Sequence, residues 1–300
     1  MRSDLTRRHF GALVALSAFA NQRAWAVNSI ELPARRVIAL DWGIAETLVG
    51  LGHPPLGAAE IPNYNRTILT PAMPPGVVDV GLRLAPNPEL MRSLEPDLVL
   101  INPAQKYMVP SLAPFGTIEI VPIYTDAREP FRLSCEAAAT LAARLGDPSS
   151  ATRLLTEVDQ VIADARARLR FYDGRPVYVL QFLDGQHVSV MGRTSLFQGV
   201  FERLGVRNAY DGASNDWGIA LIGIEALAAQ PDARVLYFGP LSEGAKRTVT
   251  SNPLWLRLPF VREGRVIGLP PIWIFGALPT AMHFARMLGD ALAQPGVAHD

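Results

Sequence analysis

The amino-acid sequence predicts an α/β fold of two lobes, each with a central, mostly parallel sheet, joined by one long backbone helix. Three observations predict it. Short apolar runs alternate with helical patterns, as in a parallel sheet covered on both sides. One unit occurs twice: a helix carrying a glutamate, then Pro-Asp, then an apolar strand, first at Glu89 with Pro96-Asp97 and again at Glu225 with Pro231-Asp232. Between the two series lies a stretch with a single apolar stripe, Leu154, Leu155, Val158, Val161, Ile162, Ala165 and Leu169.

In chain order, Arg36 to Leu40 is the first buried strand, and a short helix follows it and stops at Leu51-Gly52. Pro55 to Ala59 is a second strand. Pro88 to Glu95 is a helix, Leu98 to Ile101 a strand, and Ile118 to Ile123 another. The long helix starts at Pro148-Ser149-Ser150. It closes with Arg166, Arg168 and Arg170 near its end, where cations suit the helix dipole, and Tyr172-Asp173-Gly174 terminates it. About twenty helical residues span about 30 Å, enough to bridge two lobes; an ordinary crossover helix within one sheet is the competing reading. In the second series, Pro176 to Leu183 and Val188 to Met191 are strands, and Thr194 to Leu204 is a helix ended by Gly205. Ile224 to Gln230 is a helix and Val235 to Phe238 a strand. The expected segments are 1–26, 27–147, 148–171 and 172–300.

Residues 1–26 read as an export signal. They combine a twin-arginine pattern at Thr6-Arg7-Arg8-His9-Phe10, a moderately apolar run from Gly11 to Ala20, and a small-x-small cleavage site at Ala24-Trp25-Ala26. The run is too short to span a bilayer. No cysteine lies near the cleavage point, so no lipid anchor is expected, and the periplasm of a two-membrane bacterium is the expected compartment.

Composition excludes several classes. The 300 residues are 49% hydrophobic and 19% charged, which suits a large core and not a disordered chain. Basic and acidic residues balance at 28 each, so binding to a nucleic-acid backbone is not expected. Cys135 is the single cysteine. It rules out a disulfide within the chain and thiolate-rich zinc sites, and it reads as an inert core thiol. His53, His187, His283 and His299 are far apart in sequence, so no metal site is expected. There is no G-x-S-x-G elbow, Walker loop or dinucleotide glycine fingerprint. An exported hydrolase is the alternative from a different class.

The order Arg36-Val37-Ile38-Ala39-Leu40, Glu46, Leu51-Gly52, Asp79-Val80-Gly81 and Pro96-Asp97-Leu98-Val99 resembles the iron-siderophore and cobalamin class of periplasmic binding proteins. Asn252-Pro253-Leu254-Trp255 through Gly264-Arg265-Val266 fits the same class. Three stretches are similar to the ferric hydroxamate-binding proteins of enteric bacteria: Asp79 to Arg83 with Pro86-Asn87, Asn215-Asp216-Trp217-Gly218, and Ile272 to Ala277 running into Ala281-Met282-His283-Phe284. The resemblance implies the class III binding-protein fold, a shallow interlobe cleft and limited hinge motion. It further implies a monomer that delivers its ligand to an inner-membrane ABC permease driven by a cytoplasmic ATPase. No cofactor is expected, because a siderophore already satisfies its iron. Another iron chelate, haem or cobalamin is the alternative ligand.

The site residues follow from that resemblance. Arg83, after a strand end, is the expected donor to hydroxamate oxygens; a surface pairing with Glu89 is the competing reading. Tyr107, in the loop Asn102 to Tyr107, is its expected partner. Trp217 and Trp273 match the aromatic wall of the second lobe. Phe275 stands where the family carries a tyrosine, which removes one hydroxyl. Trp42 and Tyr64 are weaker wall candidates from the first lobe. Glu243, read in a loop after the strand ending at Phe238, is the expected permease contact, and no matching first-lobe glutamate follows Tyr107.

Overall fold

Two five-stranded sheets organise the chain. The computed structural model describes residues 36–293, so the expected export signal lies outside the described residues. The first half holds strands β1 (Val37–Ala39), β2 (Gly57–Ala58), β3 (Val78–Asp79), a small hairpin of β4 (Gly81–Leu82) and β5 (Ala85–Pro86), then β6 (Leu98–Ile101) and β7 (Thr117–Ile120). Its sheet runs β3-β2-β1-β6-β7 and is parallel throughout. The strand order reverses between β1 and β6, and ligands of open α/β sheets bind at such a switch point, beyond the carboxyl ends of the strands. The second half holds β8 (Val177–Phe182), β9 (His187–Met191), β10 (Ile219–Gly223), β11 (Arg234–Phe238) and β12 (Val266–Leu269). Its order is β10-β9-β8-β11-β12, with β9 antiparallel to both neighbours and the remaining pairs parallel.

The helices that matter for the site are α1 (Trp42–Gly50), α2 (Ile61–Thr67), α3 (Pro88–Ser93), α4 (Val109–Leu112), α5 (Pro130–Arg144), α6 (Pro148–Arg168), α7 (Leu196–Leu204) and α8 (Glu243–Ser251). After two short helices, α9 (Pro253–Arg257) and α10 (Pro259–Arg262), the described chain closes with α11 (Leu278–Ala293). The 21 residues of α6 bury Leu154, Val158, Val161, Ile162 and Ala165, the stripe that the periodicity predicts, against α11, α5 and α7. Gly205 takes a left-handed conformation at the end of α7, as a helix-stopping glycine does.

Ile224–Ala229 is a helix as expected, of the 3-10 type. One expectation needed correction. Glu243 is the first residue of α8, capped by the Ser242 side chain on the Ala245 N–H, and not a loop residue. Each half has a buried cluster of its own, around Ile38 and Val99 in the first and around Tyr178 and Phe260 in the second. A larger cluster joins them, running from Val37 and Trp42 through α5, α6 and α7 to Phe284 and Leu292. Among the described residues no helix is long and apolar enough to cross a membrane.

Candidate functional site

Beyond β1 and β6 the backbone ends in polar residues that tie the first half together. Asp41 caps α1 by accepting the Ile44 N–H at 3.1 Å, and its other oxygen accepts from the Asn102 amide at 2.8 Å. Burial pushes the Asp41 carboxyl above its ordinary pKa, while Asn102 and the Arg83 charge oppose the rise. Asn102 and Gln105 form a capping box on the 3-10 helix Pro103–Met108. The buried Gln105 amide donates to the carbonyls of Leu40 and Arg83, both at 3.0 Å. The tip of the β4–β5 hairpin is thereby fixed against the switch point, and Arg83 is at that tip.

The Arg83 guanidinium is held on three sides. Its Nε donates to Glu60 Oε2 at 3.1 Å, and its backbone N–H donates to Glu60 Oε1 at 3.2 Å. Its Cζ lies 4.3 Å from the ring centre of Trp42 and 5.0 Å from that of Trp273, the second ring coming from the other half. Among the described residues the terminal nitrogens have no hydrogen-bond partner. The carboxylate facing Arg83 is thus Glu60 and not Glu89. Glu60 takes a left-handed backbone, with φ of 54°, unusual for a residue with a Cβ. Its N–H is held by the Gly81 carbonyl at 2.8 Å and Asp79 Oδ1 at 3.1 Å.

A chain of aromatic rings continues from there across the seam. Trp42 meets Trp273 edge-on at 4.7 Å between ring centres, Trp273 meets Phe275 at 5.3 Å, and Phe275 meets Trp217 at 5.2 Å. Tyr124, just after β7, stacks on Trp217 at 5.5 Å and donates its hydroxyl to the Gly276 carbonyl at 2.8 Å. Trp217 is carried on a turn in which Asn215 Oδ1 accepts from the N–H groups of Trp217 and Ile219. Gly218 closes that turn at φ of 78°; a Cβ there would lie 2.3 Å from the Ser195 backbone, so only glycine fits. Trp273 Nε1 is buried without a partner among the described residues.

Glu46 of α1 locks the segment that carries Trp273 and Phe275. Its carboxylate accepts from the N–H groups of Ala277 and Thr280 and from the Thr280 hydroxyl. It is completely buried, and desolvation raises its pKa to about 7, opposed in part by those bonds. The Tyr124 phenol is pushed well above its ordinary range by burial, so it stays neutral and donates.

The structure therefore brings Arg83, Trp42, Trp273, Phe275 and Trp217 to one seam, and it corrects two of the proposed walls. Tyr64 is completely buried; α2 turns its ring inward, and its hydroxyl donates to the Pro71 carbonyl at 2.9 Å, so it packs behind Trp42 and faces no cleft. Trp42 is likewise buried, with its indole N–H used by the Ala59 carbonyl at 2.9 Å, and it supports Arg83 instead of forming an open wall. Tyr107 is on the 3-10 helix whose Gln105 holds the Arg83 carbonyl, and it is 66% exposed. Glu60, Tyr124, Glu46, Asp41 and Gln105 were not singled out as site residues. Asp41 and Glu60 had a usable signal, because each follows the carboxyl end of a parallel strand.

Other features are less suited to a ligand. A depression of about 410 Å³ between α5 and α7 is lined by four arginines, but Arg128 and Arg132 pair with Asp216, Glu129 and Glu136, and Arg203 covers Phe131. His53 pairs with Asp147 and His187 with Asp184, while His283 is on α11. Among the described residues no group of three or more His, Cys, Asp or Glu side chains is placed to hold a metal ion.

Comparison with known proteins gives a consistent picture. Residues 37–272 match the family described as periplasmic binding protein. The chain is 31% identical over 295 residues to the iron(3+)-hydroxamate-binding protein FhuD of Escherichia coli, covering 96% of this chain and 97% of that one. The structure of FhuD from Vibrio cholerae bound to Fe3+-Desferal is similar with a TM-score of 0.80 and 28% identity, over 86% of this chain and 98% of that chain. The triscatecholate siderophore-binding protein FeuA of Bacillus subtilis shares the fold, with a TM-score of 0.70 and 16% identity over 89% and 95% of the two chains.

Proposed function

The chain belongs to the periplasmic binding protein family, and we propose that it captures ferric hydroxamate siderophores at the seam between its halves and passes them to an inner-membrane ABC permease. The observation that carries this reading is Arg83, pinned between Glu60, Trp42 and Trp273 with its terminal nitrogens unpaired among the described residues. In a ferric hydroxamate six oxygens already hold the iron. The protein need not ligate the metal. It supplies donors to electron-rich oxygens and apolar rings to the carbon scaffold, and these are what the seam contains. The terminal nitrogens of Arg83 donate to the hydroxamate oxygens. Trp217, Trp273 and Phe275 pack on the scaffold, and Tyr107 supplies a hydroxyl from the exposed side. Phe275 contributes area only, because it has no hydroxyl to offer. The similarity to two hydroxamate-binding proteins supports this ligand class. A twin-arginine-exported, unanchored monomer in the periplasm, handing its ligand to a permease and ATPase, fits the same reading, and no catalytic chemistry is assigned to the seam.

Titration of purified protein with ferric hydroxamates, followed by tryptophan fluorescence, tests it. Binding should quench the emission with an affinity of about micromolar or better. Arg83→Ala removes charge-assisted donors worth about 1.5–3 kcal/mol, so affinity should fall roughly ten- to hundredfold with the fold intact. No quenching by any ferric hydroxamate at high micromolar concentration would reject the ligand class, and an Arg83→Ala variant that binds like the parent would remove Arg83 from the site.

A further inference from the structure

Arg83 touches one carboxylate, that of Glu60, with two more in the polar network around it. Glu60 takes both its Nε and its backbone N–H, Asp41 is close enough to feel its charge, and Asp79 holds the Glu60 N–H from behind. The side chains of Arg83 and Glu60 are 29% and 15% exposed, so solvent ions screen the pair only partly. Glu60 keeps its place through a left-handed backbone conformation, and such strain persists where the surroundings over-determine it, often at ligand sites. The result is an arginine whose charge is cancelled on one edge while its terminal donors have no partner among the described residues.

We infer that Glu60 is the charge selector of the seam: it neutralises Arg83 without occupying its terminal donors, and so admits ferric complexes of zero or positive charge and turns away polyanionic ones. The inference rests on the ligand contact proposed for Arg83. A neutral ferric trihydroxamate needs donors for its oxygens but no counter-charge. The complex of iron with Desferal carries one positive charge on its free amine. A ferric tris-catecholate is trianionic, and a seam with no net positive charge cannot repay its desolvation. Discrimination of this kind comes from a repulsive group as much as from an attractive one.

The test is fluorescence titration of the parent and of Glu60→Gln with three probes: a neutral ferric trihydroxamate, ferric Desferal and a ferric tris-catecholate. Glutamine keeps the volume and an acceptor oxygen for Arg83 but removes the charge. Binding of the tris-catecholate should tighten about tenfold or more and ferric Desferal should weaken roughly three- to tenfold, with the neutral complex between the two. These opposed changes should shrink as salt is raised. Glu60→Asp, which keeps the charge, should retain the parent's order of preference, which guards against an effect of misfolding. An equal loss for all three probes would make Glu60 only a positioning residue and overturn the inference, as would no change for any of them. Failure of the parent to bind either hydroxamate would instead reject the ligand class proposed above, a separate outcome.

Discussion

Replacing Glu46 with glutamine should change how stability depends on pH. The Glu46 carboxyl is completely buried at the start of α11, where it accepts from Ala277, Thr280 and the Thr280 hydroxyl. Burial raises its pKa from 4.5 to about 7. Between those values the folded protein keeps a proton that the unfolded chain has lost. Stability therefore falls as pH rises through that window, and the loss is complete once pH exceeds the folded value. At 1.36 kcal/mol per pH unit, the ceiling on the loss is about 3 kcal/mol. Glutamine has no proton to lose and keeps an acceptor for the Ala277 N–H. The neighbouring Asp41 is present in both proteins, and Tyr124 stays neutral throughout. Urea unfolding of parent and variant from about pH 5 to about pH 8 reads the effect. The stability of the parent relative to Glu46→Gln should decline by about 2–3 kcal/mol across that range. A difference that stays constant with pH, or that moves in the parent's favour as pH rises, would refute the reasoning, because Glu46 would then hold one protonation state throughout or titrate with a lowered pKa.

Gly199 of α7 is pressed against α5, and a Cβ there would lie 2.4 Å from Phe131 Cβ. Gly199→Ala should destabilise by about 1–2 kcal/mol despite alanine's better helix propensity, a fall of a few degrees in Tm by calorimetry; an unchanged or raised Tm would show that the α5–α7 contact yields freely. Glu243, 78% exposed on its side chain and paired with Lys246, is proposed as a permease contact. Glu243→Lys should leave the fluorescence titration unchanged and slow siderophore uptake by cells, and uptake equal to the parent's at matched protein levels would remove Glu243 from the docking face.

The regular elements were legible because their signals are local. The stripe Leu154, Val158, Val161, Ile162 and Ala165 announces a helix with one buried face, and α6 buries those residues. Leu98 to Ile101 is an apolar run after Pro-Asp, and it is the buried strand β6. Arg83, Trp217 and Trp273 were found through the family resemblance, and their places after a strand end and after turn-rich or Pro-rich stretches agreed with it. The network behind them was not legible, because its partners are distant in sequence. Glu60 is 23 residues from Arg83, Tyr124 is 152 from Gly276, and Glu46 is 231 from Ala277. Glu46 interrupts an otherwise largely apolar helix, Trp42 to Gly50, which hints at burial but names no partner. Tyr64 shows the reverse error: a tyrosine in turn-rich sequence reads the same whether its ring faces inward or outward, and the seven residues of α2 turn it inward.

The peptide unit between Gly276 and Ala277 explains why the aromatic seam is set before any ligand arrives. Its carbonyl accepts the Tyr124 hydroxyl and its N–H donates to Glu46, so both polar atoms of one peptide are held by the first half. Gly276 is required for this approach, because a Cβ would fall 2.1 Å from the Thr280 hydroxyl and 2.8 Å from Glu46 Oε1. Trp273 and Phe275 therefore sit on a segment fastened at its carboxyl end to α1 and to the chain after β7. Alongside, α6 and α11 pack into the core common to both halves. The ion pair of Arg128 and Asp216, by contrast, is half or more exposed on both side chains, and a pair so open to solvent contributes roughly 0–1 kcal/mol. The joints that constrain the halves are thus the buried ones, next to the seam. A site built this way draws its affinity from rings and donors already in position, and little binding energy is spent on reshaping the protein.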